Sequence, residues 1–149
     1  MQGGQPSRYL VVGIFVRWGD CDPAGIAFYP RFFEWMDQVS HSLGREMGVT
    51  RQDMLGSPAL GFPLVSARAE FLAPARLYDT LEVRTRVARI GRASFGLRHE
   101  IHRVGDEPLL LARGAEERVH VQRLEGGAMA PRPLTPEMRA VLERYLELN

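Results

Sequence analysis

Apolar side chains recur at three- and four-residue spacing early in this chain, and no other feature restricts the fold as strongly. They are Phe28, Phe32, Trp35, Met36, Val39, Leu43 and Met47. This spacing places them on one face of a helix. Pro30 is tolerated in a first helical turn, and Gly48 is a typical residue after a last one. The sequence therefore predicts one long amphipathic helix over Pro30–Met47.

Strand patterns surround this helix. Residues Tyr9–Trp18 are rich in Val, Ile and Phe and predict a first strand. Beyond Gly61, alternating apolar and polar residues predict four more strands, which are Phe62–Ala73, Thr80–Ile90, Ser94–Val104 and Leu109–Gln122. Thr50–Leu55 is interpreted as a short helix or a turn, and Glu125–Pro133 as a loop. Thr135 begins a last helix, predicted at about 135–147.

The order of these elements indicates the fold class. Four consecutive strands joined by short turns should pair antiparallel. One antiparallel sheet and one long apolar helix pack as two layers, so the predicted class is α+β, with the helix covering one sheet face. The aromatic content of the helix is typical of a helix largely wrapped by a curved sheet. No repeat or low-complexity segment divides the 149 residues, so we expect a single domain over 1–149.

Composition limits the chemistry and the surroundings. The nineteen basic residues are all arginine, which excludes mechanisms that need a lysine amine. A net charge of +1 gives no reason to expect nucleic acid as a partner. No apolar run is long enough to predict a membrane span, and the first residues lack the pattern of a signal peptide, so we expect a cytoplasmic protein. Cys21 is the only cysteine, which excludes an internal disulfide.

The segment Gly19–Pro30, GDCDPAGIAFYP, carries the clearest chemical signal. It places Asp20 and Asp22 before the N-terminus of the long helix, where free backbone N–H groups can polarise a carbonyl. A carboxylate there can attack that carbonyl or activate water. Alternate residues of an extended chain point to opposite sides, so at most one of the two carboxylates enters a given site. Both could instead serve only the turn.

Other hydrolytic chemistries fit the sequence less well. An aspartyl phosphatase of the haloacid dehalogenase type needs a basic partner, usually lysine, and a later acidic pair for Mg²⁺. The chain has no lysine, and its Asp106-Glu107 pair falls in a hairpin-like turn. A serine hydrolase is disfavoured because no Gly-x-Ser-x-Gly turn occurs. The histidines lack metal-ligand spacing, so no metal is predicted, and they are interpreted as surface or packing residues: His41, His99, His102 and His120.

Residues 19–37, GDCDPAGIAFYPRFFEWMD, closely resemble the signature of hotdog-fold thioesterases of the 4-hydroxybenzoyl-CoA thioesterase family. The match is with the branch that carries D-x-D-x-x-G before an aromatic residue and a helix. Two later segments, FLAPARLYDTLEV (71–83) and IGRASFGLRHEI (90–101), resemble the strand–loop–strand and the hairpin of the same family. The resemblance extends to about Val121. It implies the hotdog fold, an antiparallel sheet wrapped around one long central helix.

The resemblance implies an acyl-CoA thioesterase, which hydrolyses a thioester to a carboxylate and free coenzyme A. An aryl-CoA such as 4-hydroxybenzoyl-CoA is the first choice of substrate, and a short- or medium-chain acyl-CoA is the second. The family's catalytic carboxylate falls on Asp22, as nucleophile or general base. The backbone N–H that polarises the thioester carbonyl falls on Tyr29, and Asp20 is left as a turn residue. No cofactor is implied besides the coenzyme A of the substrate.

Three kinds of residue are candidate substrate contacts. Asp37 lies two helical turns beyond Tyr29 and could meet a polar substituent of the acyl group, or be an exposed or interface carboxylate. Aromatic residues early in the helix could line an acyl pocket or belong to the core: Phe28, Phe32 and Phe33. Arg89 and Arg92, at the tip of a predicted hairpin, could bind the phosphates of coenzyme A. Most of the other strand arginines are interpreted as solvated surface residues.

The resemblance also implies partners. Hotdog domains usually pair, with their sites at the subunit interface and edge strands joined into a larger sheet. A homodimer is therefore expected, and a homotetramer is the alternative. The alternative function is a non-catalytic acyl-CoA-binding or regulatory module on the same fold. Asp22 argues against that alternative, because a binding module has no need of this carboxylate.

Overall fold

The structure is a computed structural model that describes residues 8–148. Within these residues the strands are β1 (Leu10–Phe15), β2 (Ala59–Gly61), β3 (Leu64–Phe71), β4 (Thr80–Ile90), β5 (Ser94–Val104), β6 (Leu109–Val119), β7 (Val121–Arg123) and β8 (Met129–Pro131). The α-helices are α1 (Pro30–Glu46), α2 (Arg51–Leu55) and α3 (Pro136–Arg144). None of these helices is long and apolar enough to cross a membrane.

Five strands form one antiparallel sheet in the order β1-β4-β5-β6-β3. Strands β1 and β3 are therefore its two edges. In the middle of the sheet Thr85 pairs with His99, and His99 pairs with Gly114. A second, three-stranded sheet has the order β2-β7-β8. This arrangement confirms the antiparallel α+β fold with one long helix.

The apolar face of α1 packs against one face of the five-stranded sheet. Trp35, Met36 and Val39 on this face are at most 3% exposed. Burying a large apolar side chain contributes about 1.5–3 kcal/mol, so this face provides much of the driving force for folding. Two apolar clusters result. The first joins the N-terminal half of α1 to β1, and the second joins its C-terminal half to α3.

Helix α1 has the boundaries that its sequence predicts to within one residue. Pro30 is its first residue, and Met47 follows its last residue, Glu46. Gly48 then adopts φ +86°, a conformation that glycine reaches without steric cost. The strands predicted at Thr80–Ile90 and Ser94–Val104 are confirmed at both ends.

Other predictions were wrong at strand ends. The first strand ends at Phe15, because Trp18–Asp20 forms a 3₁₀ turn. The strand predicted over Leu109–Gln122 is two strands that separate at His120, since β6 stays in the large sheet while β7 pairs with β2. The predicted loop contains β8, and β2 was missed. These strands have three residues each, too few to produce a clear alternation.

The order of the strands also differs from the expected succession of hairpins. Strand β3 pairs with β6 and not with β4, which follows it in the chain. As a result β3 lies at the edge of the sheet that is farthest from β1. The helix predicted at about 135–147 is shorter and spans Pro136–Arg144. The edge position of β3 matters for the site described below.

Close approach of α1 to the sheet requires Gly114 on β6. A Cβ atom at this position would collide with Sδ of Met36 and would lie 3.3 Å from the carbonyl oxygen of Arg68. We expect Gly114→Val to lower the free energy of unfolding by about 1–3 kcal/mol, because overpacking forces α1 away from the sheet. Urea unfolding measures this change.

Gly13→Val on β1 is the matched control for this substitution. Nothing lies within 4 Å of a Cβ atom at Gly13, so valine should be tolerated there. Equal losses of stability in the two variants would contradict the packing argument.

Candidate active site

Asp22 lies in a tight loop between the 3₁₀ turn and α1. Its N–H donates to the carbonyl of Ile26 (2.9 Å), and its carbonyl accepts from the N–H of Gly25 (3.0 Å). Carboxylate oxygen Oδ1 accepts a hydrogen bond from the N–H of Ala24 (2.8 Å). Within residues 8–148 no donor lies within hydrogen-bond distance of the other oxygen, Oδ2. The loop thus orients the half-buried carboxylate by one oxygen and leaves the second available.

Asp20 has the structural environment that its sequence suggests. The residue is buried, and its Oδ2 accepts the N–H of Arg17 (2.8 Å). Its backbone carbonyl accepts the N–H of Phe28 (2.8 Å), which ties the 3₁₀ turn to the start of α1. The expected separation of the two carboxylates therefore holds. Its cause is the burial of Asp20 in a turn, however, and not the alternation of an extended strand.

The backbone N–H of Tyr29 is available at the N-terminus of α1. Tyr29 is the N-cap residue, and Pro30 follows it as the first residue of the helix. No acceptor among the described residues binds this N–H, whereas the neighbouring N–H of Phe28 is paired. The positive end of the helix dipole adds to the polarity of the N–H. An oxygen that develops negative charge would be stabilised at this position.

Aromatic side chains surround the start of α1. Phe71 of β3 lies 6.2 Å from Tyr29 and 6.4 Å from Phe33, measured between ring centroids. Phe28 and Tyr29 are both more than half exposed, and Phe33 is partly buried. Phe32 lies instead in the core with 3% exposure, because its position on the helix faces the sheet. Of the two roles that the sequence allows for Phe32, the structure supports the one in the core.

Asp37 lies near the middle of α1, about 12 Å along the helix axis from Tyr29. Its Oδ1 accepts a hydrogen bond from Nη2 of Arg118 (2.8 Å), and its Oδ2 lies 3.1 Å from Nε2 of His41. Its side chain is 48% exposed. Within one chain Asp37 is thus too distant from Tyr29 to contact the same small group.

Arg118 continues from Asp37 into a buried polar network. Its Nη2 also donates to Oε2 of Glu116 (2.8 Å). The other oxygen of Glu116 accepts from Ser40 Oγ (2.8 Å) and lies 2.7 Å from Nε2 of His99. His99 Nδ1 lies 2.7 Å from the hydroxyl of Thr85. We call these five residues, together with Asp37, the buried network.

The charge of Glu116 is the centre of the buried network. Burial alone would raise the pKa of Glu116, but the hydrogen bonds and charges of His99 and Arg118 outweigh it and lower that pKa to about 2. Glu116 is therefore a carboxylate at neutral pH and only accepts hydrogen bonds. It follows that Nε2 of His99 carries a proton, and that in the neutral ring Nδ1 accepts from Thr85.

The burial of these charged residues was not predicted from the sequence. Glu116, Arg118 and His120 occupy alternate, inward-facing positions of the β6–β7 segment and are all buried. Arg103 is buried as well, so Arg103 and Arg118 are exceptions to the solvated position expected for most strand arginines. Charged residues at the core-facing positions of a strand were the sequence signal that could have predicted this buried network.

An apolar pocket of about 520 Å³ lies beside the buried network. Its walls come from the C-terminal half of α1, from α2 and from the segment before β3. Phe62 and Met54 contribute apolar surface, and Ser40, His41 and Arg118 contribute polar atoms. Since all these α1 residues are C-terminal to Asp37, the pocket and the N–H of Tyr29 belong to opposite halves of the helix.

The two candidate phosphate-binding arginines are also distant from Asp22 in the same chain. Arg89 donates from Nε to Glu117 (3.0 Å) and from Nη2 to Ser94 (3.1 Å). Arg92 is exposed. Both lie at the end of β4 that is farther from Asp22, about 30 Å along the strand from Thr80. A single chain does not bring them to the carboxylate.

Comparison with known proteins gives consistent matches. Residues 16–142 match the family model described as the thioesterase-like superfamily. The chain is 34% identical over 117 residues to 4-hydroxybenzoyl-CoA thioesterase of Pseudomonas sp. (strain CBS-3), covering 76% of this chain and 83% of that protein. It is 26% identical over 102 residues to 1,4-dihydroxy-2-naphthoyl-CoA hydrolase of Prochlorococcus marinus (strain MIT 9303). This match covers 64% of this chain and 68% of that protein.

A solved structure agrees with these sequence matches. A variant of 4-hydroxybenzoyl-CoA thioesterase complexed with 4-hydroxybenzoyl-CoA superposes with a TM-score of 0.80 at 27% identity. The superposition covers 91% of this chain and 99% of that one. The hotdog fold expected from the sequence is thereby confirmed.

The pKa of Glu116 makes stability depend on pH. A carboxyl whose pKa falls on folding, here from 4.5 to about 2, stabilises the fold above pH 4.5 and loses this contribution as the pH falls towards 2. We expect the wild type to have a higher free energy of unfolding than Glu116→Gln at pH 4.5, and this difference to shrink by about 2 kcal/mol as the pH falls to 2. Urea unfolding at a series of pH values measures it.

Glu117→Gln is the control for this experiment, because Glu117 is the next residue of β6 and pairs with Arg89 instead of the buried network. It corrects for the loss of one carboxylate at this place in the strand. The same pH dependence in both variants would contradict the role of Glu116.

Proposed function

The chain belongs to the thioesterase-like superfamily and is a thioester hydrolase, and on this premise we propose that it hydrolyses an aryl-CoA or a short- to medium-chain acyl-CoA with Asp22 as the catalytic carboxylate. The observation that carries the proposal is the pairing of two available groups at one place. They are Oδ2 of Asp22 and the N–H of Tyr29 at the helix N-terminus, neither of which has a hydrogen-bond partner within residues 8–148. Together they match the needs of acyl transfer.

The reaction requires that negative charge on the carbonyl oxygen be stabilised. In the proposed mechanism the thioester oxygen accepts a hydrogen bond from the N–H of Tyr29. A positioned donor of this kind contributes about 3 kcal/mol to lowering a barrier. The N–H is a backbone group of a helix, so it does not have to reorganise as the charge develops. The side chain of Tyr29 has no assigned step.

Asp22 can act in two ways in this mechanism. As a nucleophile, it adds to the carbonyl carbon, the carbon–sulfur bond breaks, coenzyme A leaves as the thiolate, and water then hydrolyses the acyl anhydride. As a general base, it takes a proton from water, the resulting hydroxide adds to the same carbon, and the carbon–sulfur bond then breaks so that coenzyme A leaves as the thiolate. Both routes give a carboxylate and the free thiol. A carboxylate and a backbone N–H suffice for either route, so the proposal includes no cofactor.

The proposed site is completed by a second copy of the chain. Strand β3 pairs with β6 on one side, and among the described residues nothing pairs with its other side. Leu64, Val65 and Phe71 of β3 are each between 45% and 67% exposed. An unpaired, apolar edge strand is a template for pairing with another chain. We therefore propose a homodimer in which the two β3 strands pair antiparallel, alone or within a homotetramer.

Antiparallel pairing would bring opposite halves of the two sites together. Phe71 at one end of β3 contacts the start of α1, whereas the other end of β3 lies near the apolar pocket. A two-fold axis through β3 therefore sets Tyr29 of one protomer opposite the pocket of its partner. We propose that the apolar pocket of the partner binds the acyl group. The partner's Asp37 would then reach a polar substituent of that group.

The same axis would bring the basic hairpin tip towards the site. Arg89 and Arg92 lie at the end of the sheet opposite to Asp22, so the partner's Arg89 and the partner's Arg92 would lie on the Asp22 side. Arginine binds phosphate through two donors in a fixed plane. We propose that these two residues bind the phosphates of coenzyme A. Phe28 and Phe33 are proposed to make apolar contacts at the mouth of the acyl pocket.

An aryl-CoA is the preferred substrate in this proposal. The two relatives described above are named for 4-hydroxybenzoyl-CoA and 1,4-dihydroxy-2-naphthoyl-CoA, which both carry a hydroxylated aromatic acyl group. An apolar pocket of about 520 Å³ with a carboxylate beside it suits such a group.

Asp22→Asn tests the proposed function. We expect kcat for aryl-CoA and alkyl-CoA thioesters to fall about 10²-fold or more, because the amide neither attacks the carbonyl nor accepts a proton from water. Release of free thiol measures the rate. Asp106→Asn, at an exposed turn, is the control for an Asp-to-Asn change.

Two results would contradict this function. Undiminished hydrolysis by Asp22→Asn would refute the role of Asp22. If the wild type hydrolysed no thioester in the panel but bound acyl-CoA, a non-catalytic binding module would be supported instead.

Val65→Lys tests the proposed dimer. Lysine on an edge strand opposes strand pairing between chains, so we expect this variant to become monomeric and to lose at least tenfold in kcat/KM. Val11→Lys on the other edge strand, β1, is the matched control, and its assembly should have the same molar mass in solution as that of the wild type. Light scattering and thiol release give the two readouts. A fully active monomer would contradict the composite site.

A further inference from the structure

A row of arginines crosses the face of the five-stranded sheet that points away from α1. Burial alternates along β4 and β5, and Arg86 and Arg98 occupy positions on the less buried side. Arg86 of β4 pairs in register with Arg98 of β5. Arg98 pairs in turn with Ala115 of β6, and Ala115 pairs with Arg68 of β3. Arg98 and Arg68 therefore flank Ala115, and we call these three residues the arginine cleft.

The rows of side chains on either side of the arginine cleft are balanced in charge. On one side, cations and carboxylates alternate across the four strands, in the order Arg84, Glu100, Arg113 and Glu70. On the other side, Nε of Arg89 donates to Oε1 of Glu117 (3.0 Å). Opposite charges at neighbouring positions of a sheet attract and largely cancel. The excess of positive charge on this face is therefore concentrated at the arginine cleft.

The charges of the arginine cleft are incompletely neutralised. Arg68 is exposed, and it forms no ion pair with the part of the chain that the structure describes. The side chain of Arg98 is 65% exposed, and its Nε lies 3.4 Å from Oε2 of Glu147. On its other side Arg98 lies directly opposite Arg86, and like charges in such a pair destabilise a sheet. An anion bound in the cleft would relieve this repulsion.

The small side chain of Ala115 leaves room for a ligand between the two arginines of the cleft. Arg98 and Arg68 are two strand spacings apart, which is about 10 Å. Two grooves of about 550 and 450 Å³ meet at this place, and each is lined by all three residues of the cleft. Volumes of this size are typical of sites for small molecules. An anion above Ala115 would be within reach of guanidinium groups from both sides.

The C-terminal segment places a carboxylate of the chain itself at the arginine cleft. After α3 the chain runs beside β4, where the N–H of Val87 donates to the carbonyl of Tyr145 (2.8 Å). The N–H of Glu147 donates to the carbonyl of Val87 (2.8 Å). These bonds hold Glu147 in the wall of the larger groove. Its carboxylate neutralises part of the charge of Arg98 and would compete with an anion that binds there.

We infer that the arginine cleft binds a small polyphosphate anion, which is a chain of two or three phosphates, either free or as part of a nucleotide. Arginine donates two parallel hydrogen bonds to a phosphate group, so two arginines that face each other across the cleft can hold adjacent phosphates. A long polyanion such as a nucleic acid fits less well, because it would have to pass the carboxylates of the balanced rows. The cleft and the apolar pocket beside α1 lie on opposite faces of the sheet, so this inference does not depend on the proposed function.

Titration of the wild type with inorganic tripolyphosphate tests the inference, with isothermal titration calorimetry as the measurement. One low ionic strength is used throughout, because salt screens exposed charges. We expect saturable binding, and orthophosphate should bind about tenfold more weakly or worse, since it makes fewer charge-assisted hydrogen bonds. Arg68→Gln and Arg98→Gln should each weaken the binding of tripolyphosphate about tenfold or more. Both side chains are exposed, so these variants should fold like the wild type.

The chain offers matched controls for this titration. Arg113→Gln removes an exposed arginine of the larger groove that pairs with Glu70 (3.7 Å), and it should leave the affinity within about threefold of wild type. Arg92→Gln should do the same, because Arg92 belongs to the site proposed for coenzyme A. Glu147→Gln should raise the affinity about threefold or more by removing the competing carboxylate. Glu70→Gln, which removes a carboxylate of a balanced row, should raise it less.

Adenosine triphosphate distinguishes the two sources of the phosphate chain. Tighter binding than that of tripolyphosphate would identify a nucleotide as the ligand, since the groove would then also hold the nucleoside. Equal or weaker binding would identify a free polyphosphate. Both results agree with a site for a small polyphosphate anion.

Several results would overturn the inference. They are no saturable binding of tripolyphosphate, equally tight binding of orthophosphate, and an affinity that Arg68→Gln and Arg98→Gln leave unchanged. An equal loss in Arg113→Gln would assign the binding to general surface charge, and an equal loss in Arg92→Gln would assign it to the site proposed for coenzyme A. Tighter binding of a single-stranded DNA oligonucleotide than of tripolyphosphate would also contradict a site for a small anion.

Discussion

Burial of one face of α1 against the sheet is the interaction on which the rest of the structure depends. The helix contributes Trp35, Met36 and Val39 to the core, and Gly114 allows it to lie close to β6. Because the helix is held along its length, both of its ends have fixed positions. Its N-terminus presents the N–H of Tyr29, and its C-terminal half forms a wall of the apolar pocket.

The ionic centre at Glu116 interrupts this apolar contact between the two core clusters. Its cost in desolvation is offset by hydrogen bonds from His99, Ser40 and Arg118, which also lower the pKa of Glu116. The same bonds connect the interior to Asp37 on the helix surface. Packing of the core and the orientation of Asp37 therefore depend on the same residues.

Much of the fold could be predicted from local sequence, and the failures have common causes. The period of α1 and the alternation of β4 and β5 extend over many residues, so their ends were found almost without error. Strands β2 and β8 have three residues each and depend on partners distant in sequence. Asp22 and Tyr29 were found because they share one short motif. Arg118 and Glu116 were missed because their partners on α1 and β5 are remote along the chain.

The sequence by itself determined the long helix, the antiparallel class of the sheet, and the placement of a carboxylate before a helix N-terminus. These features arise from periodicity and from neighbouring residues. Only the tertiary structure decided that β3 is an edge strand, that Phe32 lies in the core, and that Asp37 is joined to Glu116 through Arg118. Each of these depends on strand order and on the rotation of α1 over the sheet, which are set by the packing of the whole core and not by any local segment.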